Sequence, residues 1–333
     1  MKLQFMHGLI IGLIISYIAF SLNSHILNWF IQWTIPYNSN VENTSEQGSA
    51  SFRSMDDNHV HNDDDSVAQK LQQKVRVLVA VMTATANLQT KAQVVKDTWA
   101  RHCSKIIFFS TKENKAFPTV RLNVREGRDH LTAKTMAGFD YMYEHHYNDF
   151  DWFMKADDDT YVIMENLRYF LSSQNFREPV FFGHHFVQFV KQGYNSGGAG
   201  YVLSKEAIRR ISQRGNNSKC NEDGKYEDID IGRCLENLGV RLANSTDALG
   251  RNRFHVFTPS THLKGQYPKW FYRYDARGGA KGIESMSDYS ISFHHITPKQ
   301  MMEFEFFIYH VRPYGIYNGE QKLNIKNNKI DQK

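Results

Sequence analysis

The first stretch of the chain is apolar and carries no formal charge. Residues 3–37 contain no Asp, Glu, Lys or Arg, and residues 9–22 are almost wholly apolar. A helix needs about 20 such residues to cross a bilayer. The pattern therefore predicts a transmembrane signal anchor over residues 9–33, preceded by a cytosolic tail of residues 1–8. A cleaved signal peptide is the alternative, although no small-x-small cleavage site follows the apolar run.

A polar segment rich in Asn, Ser and Asp follows the predicted anchor. Residues 34–74 show no apolar periodicity, which is typical of a tether and not of a packed element. We therefore expect a flexible stem over this range, then a lumenal domain over residues 75–320 and a C-terminal tail over residues 321–333. Three Asn-x-Ser/Thr sequons are candidates for glycosylation, at Asn43, Asn216 and Asn244.

From residue 75 onward, the apolar pattern alternates between strands and helices. Residues 75–83 form a β-branched run typical of a buried parallel strand, and residues 106–110 form a shorter one. Between them, Thr90 and Gln93 match a capping box that opens a helix. Residues 131–146 have apolar positions at helical spacing. This order predicts a doubly wound α/β sheet, in which ligands gather at the carboxyl ends of the strands.

Three consecutive carboxylates, Asp157, Asp158 and Asp159, follow an apolar stretch at the end of a third predicted strand. The acidic run at residues 63–65 lacks apolar neighbours and is typical of a solvated turn. Ionised carboxylates at a buried strand end are costly unless a cation is present. Oxygen ligands suit Mg²⁺ or Mn²⁺, which also bind substrate phosphates. The triplet therefore predicts a divalent metal site that takes a phosphate ester.

Three further patterns are candidates for the same site. Acidic and apolar positions alternate over residues 227–231, so at least one carboxylate should face inward as a candidate general base, although a plain helix start explains the pattern too. The Gly-Gly-Ala-Gly run at residues 197–200 either lets the backbone approach a ligand or forms a plain turn. His294 and His295 follow a strand-like run, where neighbouring side chains point to opposite faces, so only one should reach a metal.

Composition narrows the classes of protein further. The chain has 333 residues with 41% hydrophobic content, enough to bury a full core. Its net charge is +5, and the acidic stem makes the remainder more basic still, which suits an anionic substrate. No basic run or zinc-finger spacing supports binding to nucleic acid. Of three cysteines, Cys220 and Cys234 are the favoured disulfide pair in an oxidising compartment, which leaves Cys103 over.

Ordered blocks of the sequence resemble the core 1 β1,3-galactosyltransferase family. The acidic block is Lys-Ala-Asp-Asp-Asp-Thr-Tyr-Val at residues 155–162, and a glycine-containing block covers residues 191–207. The other blocks lie at positions 81–83, 91, 95–99, 126–129, 231–234, 292–294 and 309–315. Jointly these blocks are far more specific than the acidic triplet alone.

The resemblance implies a fold, a reaction and a set of site residues. It implies a type II Golgi membrane protein with a GT-A fold, built on a doubly wound mixed sheet, that uses Mn²⁺ and UDP-galactose to extend GalNAc on Ser or Thr of glycoprotein acceptors. By position in the family's motifs, the metal ligands would be Asp157, Asp159 and His294, and the base would be Asp228. The donor side would include Thr83, Lys91, Arg128, Asp129, Lys134 and Asp158, and the acceptor side Trp270 and Tyr272.

The chain also departs from the family pattern. Val79 stands where the family usually has Cys, and the expected Cys-Cys pair is absent from residues 283–286. Asp-Ala-Arg-Gly-Gly at residues 275–279 follows the aromatic segment of residues 270–274. A divergent β1,3-glycosyltransferase with another donor or acceptor, and a non-catalytic chaperone-like relative, are therefore alternatives. The sequence leaves open whether the chain forms a homodimer.

Overall fold

A strand of β-branched and small apolar residues lies inside the main sheet of the protein. The computed structural model describes residues 65–215 and 219–313. Its strands are β1 (Val77–Met82), β2 (Lys105–Ser110), β3 (Val120–Arg121), β4 (Trp152–Asp157), β5 (Tyr161–Val162), β6 (Val180–Gly183), β7 (His185–Phe186), β8 (Tyr194–Asn195), β9 (Tyr201–Ser204), β10 (Arg241–Leu242), β11 (Phe254–His255) and β12 (Ser292–Phe293).

The main sheet is mixed and has seven strands. Their order is β10, β6, β9, β4, β1, β2, β3. Strand β1 runs parallel to β2 and β4, whereas β9 runs antiparallel to both of its neighbours, β4 and β6. Strands β11, β12 and β5 form a second sheet, and β7 pairs with β8. The predicted α/β architecture with a mixed sheet is confirmed.

Helices pack on both faces of the main sheet. They are α1 (Ser66–Lys74), α2 (Gln93–Asp97), α3 (Leu131–His146), α4 (Met164–Leu171), α5 (Lys205–Ser212), α6 (Glu227–Asn237), α7 (Pro259–Lys264), α8 (Phe271–Tyr274) and α9 (Pro298–Glu305). Short turns of 3-10 or π helix occur as well, among them Trp99–His102 and Phe306–His310. Side chains of Ser204 and Thr297 cap α5 and α9.

Successive residues of the strands supply two hydrophobic cores, because side chains alternate across a sheet. Val77 and Val79 face one core, whereas Leu78 and Ala80 face the other. The second core receives the apolar sides of α3, α5 and α6, with Phe139, Met142, Ile208, Ile211, Ile231 and Leu235. Helix α6, which carries the predicted base, is therefore fixed against the sheet by buried apolar side chains.

The helix between β1 and β2 begins earlier than the sequence predicts. A π-helical turn, Leu88–Ala92, precedes α2, so Thr90 lies within the helical segment. Thr90 Oγ1 donates to the carbonyl of Asn87 at 3.3 Å, and Gln93 Nε2 donates to the Asp97 carboxylate at 2.9 Å. The predicted capping box is therefore wrong, because both side chains have partners elsewhere.

Helix α1 falls within the segment predicted as a flexible stem. Ser66–Lys74 is helical, and Leu71 packs partly buried against the first core. The expectation of an unpacked tether is wrong for these residues, because they form a helix that packs against the core through Leu71.

Several predictions fall on residues outside the described ranges. These are the cytosolic tail (1–8), the anchor (9–33), the stem up to residue 64, the C-terminal tail (321–333) and the sequons at Asn43 and Asn216. Among the described residues, none of the helices has the length and apolar character required to span a bilayer.

A disulfide joins Cys220 to Cys234, as the sequence predicts. The bond closes a loop with a sequence separation of 14 residues and ties the segment before α6 to the middle of that helix. Cys103 is free, and burial raises the pKa of its thiol to about 12. The disulfide therefore ties α6 to the segment that precedes it, while Cys103 stays protonated near neutral pH.

A charged cluster links the C-terminal helical turn to the rest of the domain. His102 Nε2 lies 2.9 Å from Glu305 Oε1, and His102 Nδ1 lies 3.5 Å from Glu165 Oε1. The ring of Tyr309 stacks on that of His102, and its hydroxyl donates to Glu165 at 2.6 Å. Burial alone would lower the pKa of His102, but the contacts with Glu165 and Glu305 outweigh it and raise the pKa to about 9. His102 is therefore a cation at neutral pH.

Because of this cluster, the free energy of unfolding should fall at alkaline pH. Because the folded-state pKa of His102 exceeds the ordinary value near 6.5, its contribution is complete below that value and is lost as the pH rises through about 9. We expect His102→Gln to lower the free energy of unfolding near neutral pH by up to about 3 kcal/mol. The difference from the unaltered chain should shrink once the pH exceeds 9. Denaturant titrations at both pH values measure this, and a difference that does not change with pH would contradict it.

Candidate active site

The carboxyl ends of β1 and β4 meet at the acidic triplet. Met82 pairs with Asp157, so Thr83 and Asp158 leave the sheet side by side. Thr83 Oγ1 donates to Asp158 Oδ2 at 2.7 Å, and Asn87 Nδ2 donates to the same oxygen at 2.9 Å. Burial raises the pKa of Asp158, and these two hydrogen bonds act against that rise. Sequence reasoning missed Asn87, for which the only signal is its place in the loop after a strand of the site.

Two lysines approach the group formed by Thr83 and Asp158, and they differ in how far their side chains are exposed. Lys134 is buried, and its Nζ donates to the Thr83 carbonyl at 2.7 Å. Lys91 Nζ lies 3.7 Å from Asp158 Oδ1 and 3.5 Å from Asp159 Oδ2, with 36% of its side chain exposed. Lys134 therefore supports the structure of the strand end, whereas Lys91 is available to a bound anion.

Asp159, His294 and His295 place a carboxylate oxygen and two imidazole nitrogens within 4.8 Å of one another. The register of the second sheet explains the approach, because Phe293 of β12 pairs antiparallel with Tyr161 of β5. That pairing brings the residue after β12 next to the residues before β5. His294 Nε2 consequently lies 3.2 Å from Asp159 Oδ1.

The donor atoms of this group suit a divalent transition metal. Burial raises the pKa of Asp159, but the hydrogen bond and charge of His294, with the charge of Lys91, outweigh burial and hold the pKa far below its usual range. Asp159 is therefore ionised. His294 Nδ1 is buried and has no hydrogen-bond partner among the described residues. An ionised carboxylate beside an imidazole with unused capacity fits Mn²⁺.

The two histidines do not diverge as the sequence predicts. Strand β12 ends at Phe293, and His295 has a left-handed backbone conformation with φ of 59°. The two imidazole rings stack, with centroids 3.8 Å apart. The expectation that neighbouring side chains point to opposite faces is wrong here, because the strand has already ended.

A buried lysine holds Asp157, the first residue of the triplet. Lys155 Nζ lies 2.7 Å from Asp157 Oδ1 and 3.8 Å from Glu227 Oε2, and it donates to the Gly197 carbonyl at 3.1 Å. Glu227 also accepts a hydrogen bond of 2.6 Å from the Tyr201 hydroxyl. Burial opposes the charge of Lys155, but Asp157 and Glu227 outweigh it and keep the lysine pKa above its usual range. Sequence reasoning missed this role of Lys155, although a lysine within a buried strand is itself a signal.

Asp228 lies in the first turn of α6, next to Glu227. Its Oδ1 accepts a hydrogen bond of 3.0 Å from the Ile229 backbone N–H. Burial raises the pKa of Asp228, while hydrogen bonds from the backbone of Gly197 and Ile229 act against the rise. A carboxylate with a raised pKa is a better proton acceptor at neutral pH, as a general base requires.

Two adjacent glycines lie between Asp228, the predicted base, and His294, a predicted metal ligand. A Cβ placed on Gly197 would lie 2.5 Å from Glu227 Oε2 and 3.5 Å from Asp228 Cβ. A Cβ placed on Gly198 would overlap the ring of His294. The glycine run forms a turn, in which the Gly200 N–H donates to the Gly197 carbonyl at 3.1 Å, and side chains approach this turn so closely that residues 197 and 198 have no room for a Cβ.

The predicted acceptor residues lie on an exposed aromatic segment. Trp270 is 36% exposed and Tyr272 45% exposed. The ring of Phe186 lies 5.9 Å from that of Trp270 and 5.5 Å from that of Tyr194, which packs against Gly232 of α6. A chain of aromatic contacts therefore connects this segment to the helix that carries Asp228.

The altered segment after residue 274 is held by a buried contact between Asp275 and His184. Asp275 Oδ1 lies 3.1 Å from His184 Nε2, and Asp275 Oδ2 accepts a hydrogen bond of 2.7 Å from the Gly279 backbone. Gly279 in turn lies against the ring of Tyr272. The departure from the family pattern thus has its own support and shapes the surroundings of Tyr272.

Three predicted residues stand apart from these contacts. Arg128 and Asp129 are exposed on a 3-10 turn, Arg128–His130, before α3. The hydrogen bonds and ion pairs that connect the other donor-side residues of the described chain do not include them. Asn244, a predicted glycosylation site, is exposed and accepts hydrogen bonds from Thr246.

We expect Lys155→Met to lower the free energy of unfolding by about 3–5 kcal/mol, because it leaves buried carboxylates without their cation. Lys91→Met is the matched control. It also removes an ammonium group next to the triplet, but Lys91 is partly exposed with longer contacts, so the loss should stay below about 1 kcal/mol. Chemical denaturation of both variants measures the two losses, and losses of equal size would contradict the role assigned to Lys155.

Comparison with known proteins identifies the family. The sequence profile described as Fringe-like matches residues 72–304. The Xenopus laevis glycoprotein-N-acetylgalactosamine 3-beta-galactosyltransferase 1 is 41% identical over 280 residues, covering 83% of this chain and 76% of that protein. The mouse beta-1,3-glucosyltransferase is 31% identical over 204 residues, covering 60% of this chain and 41% of that protein.

Among solved structures, a glycosyltransferase involved in glycosylation of the major capsid of PBCV-1 matches with a TM-score of 0.40 at 11% identity, covering 69% of this chain and 98% of that one. The profile match extends over most of the chain, and the Xenopus protein is similar over 83% of the chain. The chain therefore belongs to the Fringe-like family, and within it to the core 1 β1,3-galactosyltransferases.

Proposed function

We propose that this chain transfers galactose from UDP-galactose to the 3-hydroxyl of GalNAc linked to Ser or Thr of glycoproteins, with inversion at the anomeric carbon. The similarity to a protein named as a GalNAc 3-beta-galactosyltransferase supports the reaction class. The arrangement of the site supports the chemistry. A GT-A fold is the proposed architecture, in keeping with the mixed sheet.

The placement of Gly197 and Gly198 is the observation that supports this function best. Gly197 adjoins the base-bearing turn of α6, and Gly198 adjoins the metal-binding histidine. A metal-bound leaving group near His294 and a proton acceptor at Asp228 would thereby be separated by one backbone segment that carries no side chains. Inverting transfer needs this division, because the nucleophile enters on the face opposite to the leaving group.

The proposed metal is Mn²⁺, held by Asp159 and His294, with Asp157 assigned on the strength of its place in the acidic motif. Bound there, Mn²⁺ would offset the charge of the diphosphate leaving group. The ion pair between Asp157 and Lys155 implies that Asp157 serves two partners. Lys91 is proposed to supply further positive charge to the diphosphate, since it is exposed next to Asp159.

Other donor contacts are proposed on the same side of the site. Thr83, Asp158 and Lys134 form one hydrogen-bonded group, which we propose shapes the nucleotide-sugar pocket at the end of β1. Arg128 and Asp129 are proposed to contact the donor from the turn before α3.

Asp228 is the proposed base because its acidic neighbours on α6 are already engaged. Glu227 is bonded to Tyr201 and lies near Lys155. Asp230 accepts hydrogen bonds from Thr132 at 2.8 Å and from Asn221 at 3.0 Å. Of the three acidic residues in the first turn of α6, Asp228 is therefore the one left to accept a proton.

The proton and bond changes follow from this assignment. Asp228 takes the proton of the acceptor 3-hydroxyl while that oxygen forms a bond to the anomeric carbon. The bond from the anomeric carbon to the UDP phosphate oxygen breaks, and its electron pair leaves with UDP. Trp270 and Tyr272 are proposed to pack against the acceptor sugar, since both are exposed aromatic side chains on the side of α6.

A second candidate donor is UDP-glucose. The similarity to a protein named beta-1,3-glucosyltransferase, at 31% identity over 60% of this chain, favours testing it. The same metal and base assignments would serve either sugar, because the diphosphate and the attacking hydroxyl do not change.

We further propose that the chain is a single-pass type II protein of the Golgi membrane, anchored by residues 9–33 and with its catalytic domain in the lumen. The disulfide supports an oxidising compartment. Glycosylation at Asn43, Asn216 and Asn244 and assembly as a homodimer are part of the same proposal.

The full chain should transfer galactose from UDP-galactose to a GalNAc-bearing peptide only when Mn²⁺ is present. Asp159→Asn should abolish this transfer and weaken Mn²⁺ binding beyond the ~10 to 100-fold typical for loss of an outer-sphere partner, with an unchanged melting temperature. Asp63→Asn, in the acidic run at residues 63–65, is the control and should keep full activity. Transfer from UDP-glucose alone, or transfer that survives chelation, would contradict the proposal.

We expect Asp228→Asn to lower kcat by a factor of about 10² to 10⁴, because loss of a general base slows proton removal and leaves binding intact. Affinity for Mn²⁺ and UDP should change little. Asp230→Asn and Glu227→Gln are the comparison variants, and both should perturb stability more than the rate of proton transfer. If Asp228→Asn keeps its turnover, or loses UDP affinity in parallel with activity, the base lies elsewhere.

A further inference from the structure

The imidazole ring of His294 is covered on both faces. A Cβ placed on Gly198 would meet Cε1, Nδ1 and Nε2 of the ring at nearly the same closeness, so that position lies over a ring face and not beyond an edge. The ring of His295 stacks on His294 with centroids 3.8 Å apart and planes inclined by 24°. A ring at that distance covers a whole face. Gly198 and His295 therefore lie on opposite faces of His294.

His294 has little of the usual hydrogen-bonding support of a metal-binding histidine. In most metal sites, the second ring nitrogen donates to a carboxylate or carbonyl, which fixes the orientation of the ring. His294 Nε2 lies 3.2 Å from Asp159, which is itself a proposed metal ligand, and Nδ1 has no hydrogen-bond partner in the described part of the chain. Packing of the two ring faces therefore adds to the orientation that the single contact with Asp159 provides.

The stacked geometry argues against His295 as a second ligand on the same ion. A metal bound to an imidazole nitrogen lies near the plane of that ring. The planes of two rings whose centroids are 3.8 Å apart and whose planes are inclined by only 24° do not intersect close to the ring edges. As placed, the rings of His294 and His295 cannot share one metal ion, even though their nitrogens are close together.

The backbone of His295 is strained in a way that produces this stacking. Its φ of 59° lies in the left-handed region, which costs a residue with a Cβ roughly 1–2 kcal/mol. The next residue is fixed by a hydrogen bond of 2.9 Å from Ile296 N–H to the Asp159 carbonyl, and the ring of Phe257 lies 6.1 Å from that of His295. Strain of this kind persists only where the surroundings enforce it, and here it turns one ring onto a metal-binding ring.

We propose that His295 is a positioning residue for the metal site. It holds His294 against the backbone of Gly198 by ring stacking, and it does not bind the ion. The inference rests on the proposed Mn²⁺ site and adds a reason why His294 keeps its orientation although its Nδ1 has no hydrogen-bond partner among the described residues. A flat aromatic ring, and not a nitrogen atom, is what position 295 must provide.

The test compares His295→Phe with His295→Ala in the full chain, with Mn²⁺ as the probe. Phe keeps an aromatic ring at the stacked position and removes only the two nitrogens. Ala removes the ring together with its nitrogens. Free Mn²⁺ measured by electron paramagnetic resonance during a titration gives the affinity, independently of sugar transfer. We expect His295→Ala to weaken Mn²⁺ binding about tenfold, in the range for loss of an outer-sphere partner, and His295→Phe to stay within about threefold of the unaltered chain. Melting temperatures establish that both variants are folded.

A spectroscopic readout separates stacking from ligation. Pulsed electron paramagnetic resonance of the bound Mn²⁺ should show coupling to nitrogen from one imidazole, unchanged in His295→Phe. Equal losses of affinity in the two variants, an unaffected His295→Ala, or coupling to two imidazoles would each overturn the inference while the proposed function stands. Failure of the unaltered chain to bind Mn²⁺ would overturn the inference together with the metal assignment.

Discussion

The site depends on one buried ammonium group. Lys155 Nζ contacts Asp157, Glu227 and the Gly197 carbonyl, which belong respectively to a strand end, a helix start and the loop before β9. Without a cation there, two carboxylates would be desolvated close together, at a cost of several kcal/mol each. The lysine therefore makes it possible for β4, α6 and the glycine run to meet. The negative charge left over, on Asp159 and Asp228, lies at the edges of this group, where substrate and metal can reach it.

The chemistry is distributed over elements that are far apart in sequence but fixed to one framework. The strand pairing of Phe293 with Tyr161 sets the distance from His294 to Asp159. The apolar face of α6 and the disulfide at Cys234 set the position of Asp228. Each reactive side chain thus stands within a residue or two of a regular element. The predicted acceptor residues Trp270 and Tyr272 lie at the short helix α8, and the chain departs from the family pattern directly after it, where His184 and Asp275 form a buried pair.

Local patterns predicted the fold and the acidic strand end well, because both are signalled by residues that are adjacent in sequence. The buried run before Asp157 predicted a strand whose end carries charge, and the structure has that strand. Helix α3 has the predicted bounds. The failures have a common cause in contacts made at a distance. The helix that holds Leu71, the stacking of His295 and the partners of Lys155 all depend on residues brought close by folding. The sequence could name Lys155 as unusual, but not which carboxylates it would meet.

The direction of β9 has a consequence for which residues govern reactivity. The parallel strands β1 and β4 reach the site at their carboxyl ends. Strand β9 is antiparallel to β4 and begins at the site, immediately after the glycine run. Its register against β4 pairs Tyr201 with Lys155 and continues through Val202 with Met154 and Leu203 with Phe153. A slip of one residue would send each of these side chains to the opposite core. The register that places Lys155 beside Asp157 and Glu227 is therefore set by hydrophobic residues inside the sheet. A substitution at one of these interior positions is expected to disturb the proposed site without touching it.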